Sequence, residues 1–275
     1  MSISFSRVFA RTAVFCLVAA TSLGTVFVSR AAAGTSSPAE EAPKATARTT
    51  DLTGAKADGA SRGHYSSSPV RLRSEGRDLL AYPPAASAAS HPMTVVYLHG
   101  IHGRPENGCP WFRDGASELG WLVCPEGAKH EETGTASWGG DVFEQGTVVA
   151  RAMRAARANG ASSEPGVAVG FSQGGYVALD LVKTRQARFR GLVLIAAPEA
   201  HPSAQKLREA GVVRVALAAG SADAAHAPLI EDTKRLQREG IEARFFNLGR
   251  VGHTYAAEDG ATLREAITWA GGIRE

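Results

Sequence analysis

From Pro69 onward, short apolar runs alternate with stretches of helical spacing. Val70 and Leu72, then Leu79, Leu80 and Tyr82, mark two early strands. Thr94 to Leu98 reads as a strand whose apolar run from Val95 on is the signature of burial on both faces. Helical spacing follows around Trp111 to Leu119, then a short strand from Trp121 to Cys124. Val142 to Ala158 reads as a helix that Asn159-Gly160 stops, and Val167 to Val169 as the next strand. A helix from about Tyr176 to Val182 leads to a strand from Leu192 to Ala196. A short helix at Ser203–Ala210, a strand at Val212–Leu217 and a helix at Pro228–Glu239, closed by Gly240, come next. Ala243–Leu248 is the last predicted strand and Ala256–Trp269 the terminal helix. Such alternation specifies an α/β fold: a mostly parallel central sheet with helices on both faces. Only about 14 residues separate Ala197 from Val212, too few for a large cap domain.

The first part of the chain follows other rules. Arg7 and Arg11 precede an uncharged stretch from Thr12 to Val28, and Ser29-Arg30-Ala31-Ala32-Ala33 supplies small residues for cleavage. This is the three-part layout of a secretory signal, expected over residues 1–33, with a retained membrane anchor as the alternative. Residues 34–67 are rich in Ala, Ser, Thr and Gly and poor in large apolar side chains, a composition that predicts a disordered tether. The folded domain is then expected over 68–275, in a secreted or periplasmic protein free of the membrane once the signal is removed.

The leader carries three arginines and no acids, so its loss lowers the formal charge from +3 to zero. Without a basic patch interleaved with aromatics, nucleic acid is not an expected partner. Maturation also removes Cys16 and leaves Cys109 and Cys124, fifteen positions apart, which in an oxidising compartment read as a disulfide.

The chemistry gathers at Gly170-Phe171-Ser172-Gln173-Gly174-Gly175, where a strand meets a helix. A strand that turns directly into a helix forces its hinge residue into a sparsely populated backbone conformation. Gly170 and Gly174 permit the close strand–helix approach, and Ser172 is lifted above the sheet edge. A serine hydroxyl needs an adjacent base, and the base needs a third group to orient it. Asp223 follows the 212–217 strand in Gly220-Ser221-Ala222-Asp223, and His253 follows the last strand in Gly252-His253. Both therefore fall on the sheet edge that carries Ser172. The oxyanion donors are expected to be the N–H of Gln173 and, from the loop after Leu98-His99-Gly100, that of Ile101, with His102 next.

These motifs resemble the α/β-hydrolase superfamily: Tyr97-Leu98-His99-Gly100, the Gly-Phe-Ser-Gln-Gly-Gly turn, Gly220-Ser221-Ala222-Asp223 and Gly252-His253, in the order nucleophile, acid, histidine. The turn is similar to those of the small carboxylesterase, dienelactone-hydrolase-like and prolyl-oligopeptidase-like branches. The resemblance implies a serine hydrolase acting on carboxylic esters without a cofactor. Two features depart from it. The His99-to-Gly103 loop lacks the glycine run of one lipase and esterase branch, and dienelactone hydrolases proper carry cysteine where this chain has Ser172.

Other residues have plainer readings. His226 is a competing histidine close to Asp223, and Asp180 a helix residue that is solvated or caps a neighbour. His130-Glu131-Glu132 lacks recognisable metal-ligand spacing, so no metal is expected. His102 and Trp138, the latter in a long loop from Ala128 to Asp141, are candidate substrate contacts; Trp138 alternatively just packs that loop. The partner expected is a small-molecule ester, and no oligomeric state is specified. A serine peptidase of the prolyl-oligopeptidase-like kind and a non-catalytic envelope-binding module remain the alternatives.

Overall fold

The structure, a computed structural model, describes residues 68–88, 90–255 and 260–273. The expected signal (1–33) and tether (34–67) lie outside them. The described residues all fall in one compact unit, Gly59–Glu275, and none of their helices is long and apolar enough to cross a membrane.

Strands β1 (Val70–Ser74) and β2 (Arg77–Tyr82) form an antiparallel hairpin. Its two-residue turn, Glu75-Gly76, has positive φ at both positions (50° and 84°), matching the twist of the strands it joins. β3 (Met93–Leu98) then leads through a short helix α1 (Pro105–Gly108), a 3-10 turn (Cys109–Phe112) and α2 (Arg113–Leu119) to β4 (Gly120–Cys124). A small hairpin, β5 (Lys129–His130) with β6 (Ala136–Ser137), precedes α3 (Val142–Ala158). β7 (Gly166–Phe171), α4 (Gln173–Lys183), β8 (Phe189–Ile195), α5 (Ala204–Glu209) and β9 (Arg214–Ala219) follow. α6 (His226–Arg238), β10 (Glu242–Asn247) and α7 (Ala261–Gly271) complete the order.

The main sheet has eight strands in the order β1-β2-β4-β3-β7-β8-β9-β10. β2 runs antiparallel to both its neighbours, and every pairing from β4 to β10 is parallel. Successive side chains point to opposite faces of a strand, so each central strand feeds two cores. Val96, Leu98, Ala168, Leu192, Leu194, Val215 and Leu217 join residues of α3, α4, α5 and α6 on one face. Val95, Tyr97, Val167, Val169, Val193, Ile195 and Ala216 join α2 and α7 on the other. Burial on both faces is why these strands read as continuous apolar runs.

The predicted elements are present with shifted ends. β9 starts at Arg214, two residues later than expected, and α6 at His226, two residues earlier. α3 has the predicted bounds; Asp141 caps it through Phe143 N (2.8 Å) and Glu144 N (3.0 Å). α7 begins at Ala261 behind a left-handed Gly260, later than the predicted Ala256; residues 256–259 lie outside the described set. Only α5 stands between β8 and β9, so no cap domain is inserted there. The long loop from Ala128 to Asp141 is a different matter: it contains the β5–β6 hairpin, whose two-residue strands carry no alternating apolar pattern to betray them.

Cys109 and Cys124 form a disulfide with Cα atoms 6.1 Å apart, within the usual span for such a bond. It staples the 3-10 turn that follows the β3 loop to the carboxyl end of β4. Replacing both cysteines by serine is expected to lower the unfolding free energy by about 3 kcal/mol for a loop of this size. A domain of this size should then melt roughly 6–12 °C lower. Thermal unfolding of the double variant beside wild type, each with and without reductant, checks this. Reductant should shift only the wild type.

Candidate active site

Ser172 sits between β7 and α4 with φ 50° and ψ −117°, the strained hinge anticipated for such a turn. Two contacts explain why glycines flank it. A Cβ on Gly170 would lie 2.4 Å from the Gly174 carbonyl oxygen, and one on Gly174 only 2.0 Å from that of Leu98. Strand and helix pack backbone to backbone here, and no side chain fits between them. The Ser172 N–H donates to the Ile195 carbonyl (2.8 Å), tying the turn to β8.

Asp223 and His253 are 30 residues apart, yet their loops are knitted together by backbone. Ser221 N donates to Gly249 O (2.8 Å) and Ala222 N to Val251 O (3.1 Å). Asp223 Oδ1 accepts from Ala225 N at 2.8 Å, which leaves Oδ2 for His253 Nδ1 at 3.0 Å. On the far side of the imidazole, Nε2 lies 3.1 Å from Ser172 Oγ. The three side chains form an unbroken hydrogen-bonded relay at the carboxyl edge of the sheet. Burial grades along it: the Asp223 side chain is 2% exposed and that of His253 52%. A shielded carboxylate facing a solvent-accessible imidazole is suited to hold one tautomer and to stabilise the imidazolium when a proton arrives. His226 stands apart, its ring edge-on to Phe245 at 5.2 Å, and Asp180 pairs with Lys183 on the exposed side of α4.

The loop after β3 passes beside Ser172. A Cβ built on Gly100 would stand 3.5 Å from Ser172 Cβ. Gly103 N donates to Gly100 O (3.1 Å), closing a turn with Ile101 and His102 at its corners. His102 takes φ 53°, in the left-handed region that few non-glycine residues occupy. The neighbouring His99 is buried and holds the loop from beneath. Gly127 N donates to its Nε2 (2.9 Å), so the proton belongs on Nδ1, which donates to Gly100 O (2.7 Å). Burial pushes the His99 pKa below its ordinary value, keeping the ring neutral in this structural role. Gln173 begins α4, so its N–H lies in the first turn, where no intrahelical acceptor exists. Ile101 is exposed on the same rim.

Trp138 does not line an open surface. It is 5% exposed, its ring packs at 5.3 Å from His99, and its indole N–H donates to His99 O (2.9 Å). The Gln173 side chain clamps its backbone, accepting from Trp138 N (3.0 Å) and donating to Trp138 O (3.3 Å). Of its two readings, loop packing is the one the structure displays. His102, by contrast, is exposed and pairs with Glu131 at 2.6 Å.

Sequence reading missed four contributors. Tyr255 packs edge-on against Phe171 (4.7 Å) and against Phe112 (5.4 Å), anchoring the loop that carries His253. Tyr97 hydrogen-bonds to it from the core; burial drives the Tyr97 pKa well above the usual phenol value. Glu131 and Ser137 lie in the β5–β6 hairpin and meet His102. An aromatic two residues past His253 was a legible hint; nothing local in the chain pointed to Glu131.

No protein-family model matches the sequence, and no curated protein matches it either. Similarity appears in three dimensions. The protein TT1662 from Thermus thermophilus aligns at 20% identity over 76% of this chain and 99% of its own, with a TM-score of 0.53. Carboxyl esterase 2 from the mycorrhizal fungus Tuber melanosporum aligns at 14% identity over 77% and 89%, with a TM-score of 0.54. A thermostable esterase from Pseudomonas putida gives 12% identity over 76% and 84%, also at 0.54. At such identities the likeness speaks to the fold.

Proposed function

We propose that this chain, an α/β-hydrolase by fold, is a serine hydrolase that cleaves carboxylic esters. One observation carries the reading: Ser172 Oγ, His253 and Asp223 stand in a continuous relay at 3.1 and 3.0 Å. In this mechanism His253 Nε2 takes the hydroxyl proton as Ser172 Oγ attacks the ester carbonyl carbon. Asp223 holds Nδ1–H and offsets the imidazolium charge. The N–H groups of Gln173 and Ile101 receive the tetrahedral oxyanion. The imidazolium then protonates the departing alkoxide, leaving an acyl-enzyme. Water, deprotonated by His253, attacks that acyl group and frees the acid and Ser172.

The open approach to the site supports small, accessible esters as substrates. Ile101 and His253 both reach solvent, and the short β8–β9 connection supplies no lid. Esterases among the structural neighbours agree with ester substrates. Export is part of the proposal: it is supported by the basic, then apolar, then small-residue start of the chain and by the Cys109–Cys124 bridge.

The test is a substrate panel on the purified protein. p-Nitrophenyl acetate and butyrate are expected to turn over, while aminoacyl and prolyl p-nitroanilides should react at least tenfold more slowly in kcat/KM. Faster anilide cleavage would select the peptidase alternative. No turnover of either class, together with no labelling by a fluorophosphonate, would leave a binding module.

A further inference from the structure

The β5–β6 hairpin touches both loops that carry the proposed oxyanion donors. On one side Trp138, next to β6, is held by both ends of the Gln173 side-chain amide. On the other, Ala136 N donates to Gly103 O at 2.9 Å, and His102 N donates to Ser137 Oγ at 3.0 Å. Glu131 is where these contacts meet. One carboxylate oxygen accepts from Ser137 Oγ (2.9 Å); the other accepts from Thr135 Oγ1 (2.9 Å) and from His102 Nδ1 (2.6 Å). The hairpin's own turn is closed by Glu131 N to Thr135 O and Gly134 N to Glu131 O, both 2.9 Å. Arg104, just past the β3 loop, also donates to Thr133 O at the hairpin tip.

His102 has no glycine to ease its positive φ. Its backbone N–H and its ring are both held from the hairpin, and both holds run through Glu131, the first by way of Ser137. Ile101 precedes it in the same four-residue turn, so rotation of His102 out of the left-handed region would break the Gly103 N to Gly100 O bond that closes the turn and free the Gly100–Ile101 peptide, which carries the Ile101 N–H. An oxyanion donor is useful only when it is fixed before charge develops, because a donor that must reorient during the reaction loses most of its advantage.

We infer that Glu131 is a positioning residue for the oxyanion site, its carboxylate locking the Gly100–Gly103 turn so that the Ile101 N–H stays aimed at the space above Ser172. This rests on the ester-hydrolase reading, and it assigns Glu131 no contact with substrate. The role separates it from Asp223, which acts on the base. It also explains why a hairpin of two-residue strands persists beside the site.

Glu131→Ala is expected to lower kcat for p-nitrophenyl acetate about 10- to 100-fold, below or near the loss of a whole oxyanion donor. KM should change less than threefold. The rate of fluorophosphonate labelling should fall in parallel, since the phosphoryl oxygen enters the same space. Glu131→Gln should recover part of the loss, because its amide oxygen still accepts from Ser137. Should Glu131→Ala fail to fold, Ser137→Ala supplies the second arm, with a several-fold drop in kcat at unchanged KM. A folded Glu131→Ala with wild-type kcat, or with KM raised and kcat intact, overturns the assignment. Wild type that neither hydrolyses esters nor takes up the probe would instead sink the ester-hydrolase reading beneath it.

Discussion

Ser172→Ala is expected to abolish fluorophosphonate labelling and to lower kcat on p-nitrophenyl esters by about 10⁴- to 10⁶-fold, the range seen when a serine nucleophile is removed from an intact site. The variant should remain folded. Alanine tolerates the turn no worse than serine, since both carry a Cβ at φ 50° and Ser172 Oγ has no structural partner other than His253 among the contacts described. Its melting temperature should therefore lie within a few degrees of wild type. Gly170 and Gly174 set the shape of the turn whatever the side chain at its apex. Labelling of the variant at the wild-type rate would mean that another nucleophile reacts, and the elbow would lose its role.

Asp223→Asn is expected to cost roughly 10³- to 10⁴-fold in kcat at neutral pH, although it removes only a charge. The reason lies in how the carboxylate is tethered. Asp223 Oδ1 accepts from Ala225 N, so an asparagine will turn its carbonyl oxygen to that N–H and its amide nitrogen to His253. An N–H facing Nδ1 requires Nδ1 to accept, which places the imidazole proton on Nε2. Nε2 then has no lone pair for the Ser172 proton. Geometry survives, and the tautomer is wrong. Steady-state kinetics with p-nitrophenyl acetate measures the loss, and slow but detectable fluorophosphonate labelling should distinguish it from Ser172→Ala. Turnover within tenfold of wild type would show that the Asp223–His253 contact does not control the base.

The two variants and the Glu131 series probe different parts of one sheet edge. Ser172, His253 and Asp223 arrive from β7, β10 and β9, while the β5–β6 hairpin arrives from the β4–α3 connection. The Cys109–Cys124 bridge secures the remaining border, behind the loop that carries Ile101. Each of these supports lies at the carboxyl end of a strand, where parallel sheets leave backbone groups and loops free to converge on a ligand.

The chain alone specified the strands of the main sheet, because burial on both faces leaves runs such as Val95-Val96-Tyr97-Leu98 with no polar position to confuse their reading. It also specified which loops hold Ser172, Asp223 and His253, since a parallel sheet sends every post-strand loop to one edge. The glycines at 170 and 174 were legible for a local reason: the turn they permit lies within five residues. What the tertiary structure decided was everything carried by contacts between distant segments. The chain left Trp138 open between lining a pocket and packing its loop, and the engagement of its indole N–H by His99 and of its backbone by Gln173 decided for packing. Glu131 stood in a His130-Glu131-Glu132 stretch without metal-ligand spacing, and only the fold brings it within 2.6 Å of His102, 29 positions away. Hydrophobic periodicity records burial and propagates along the chain. A hydrogen bond between two loops depends on three-dimensional position, and leaves no period in the sequence to read.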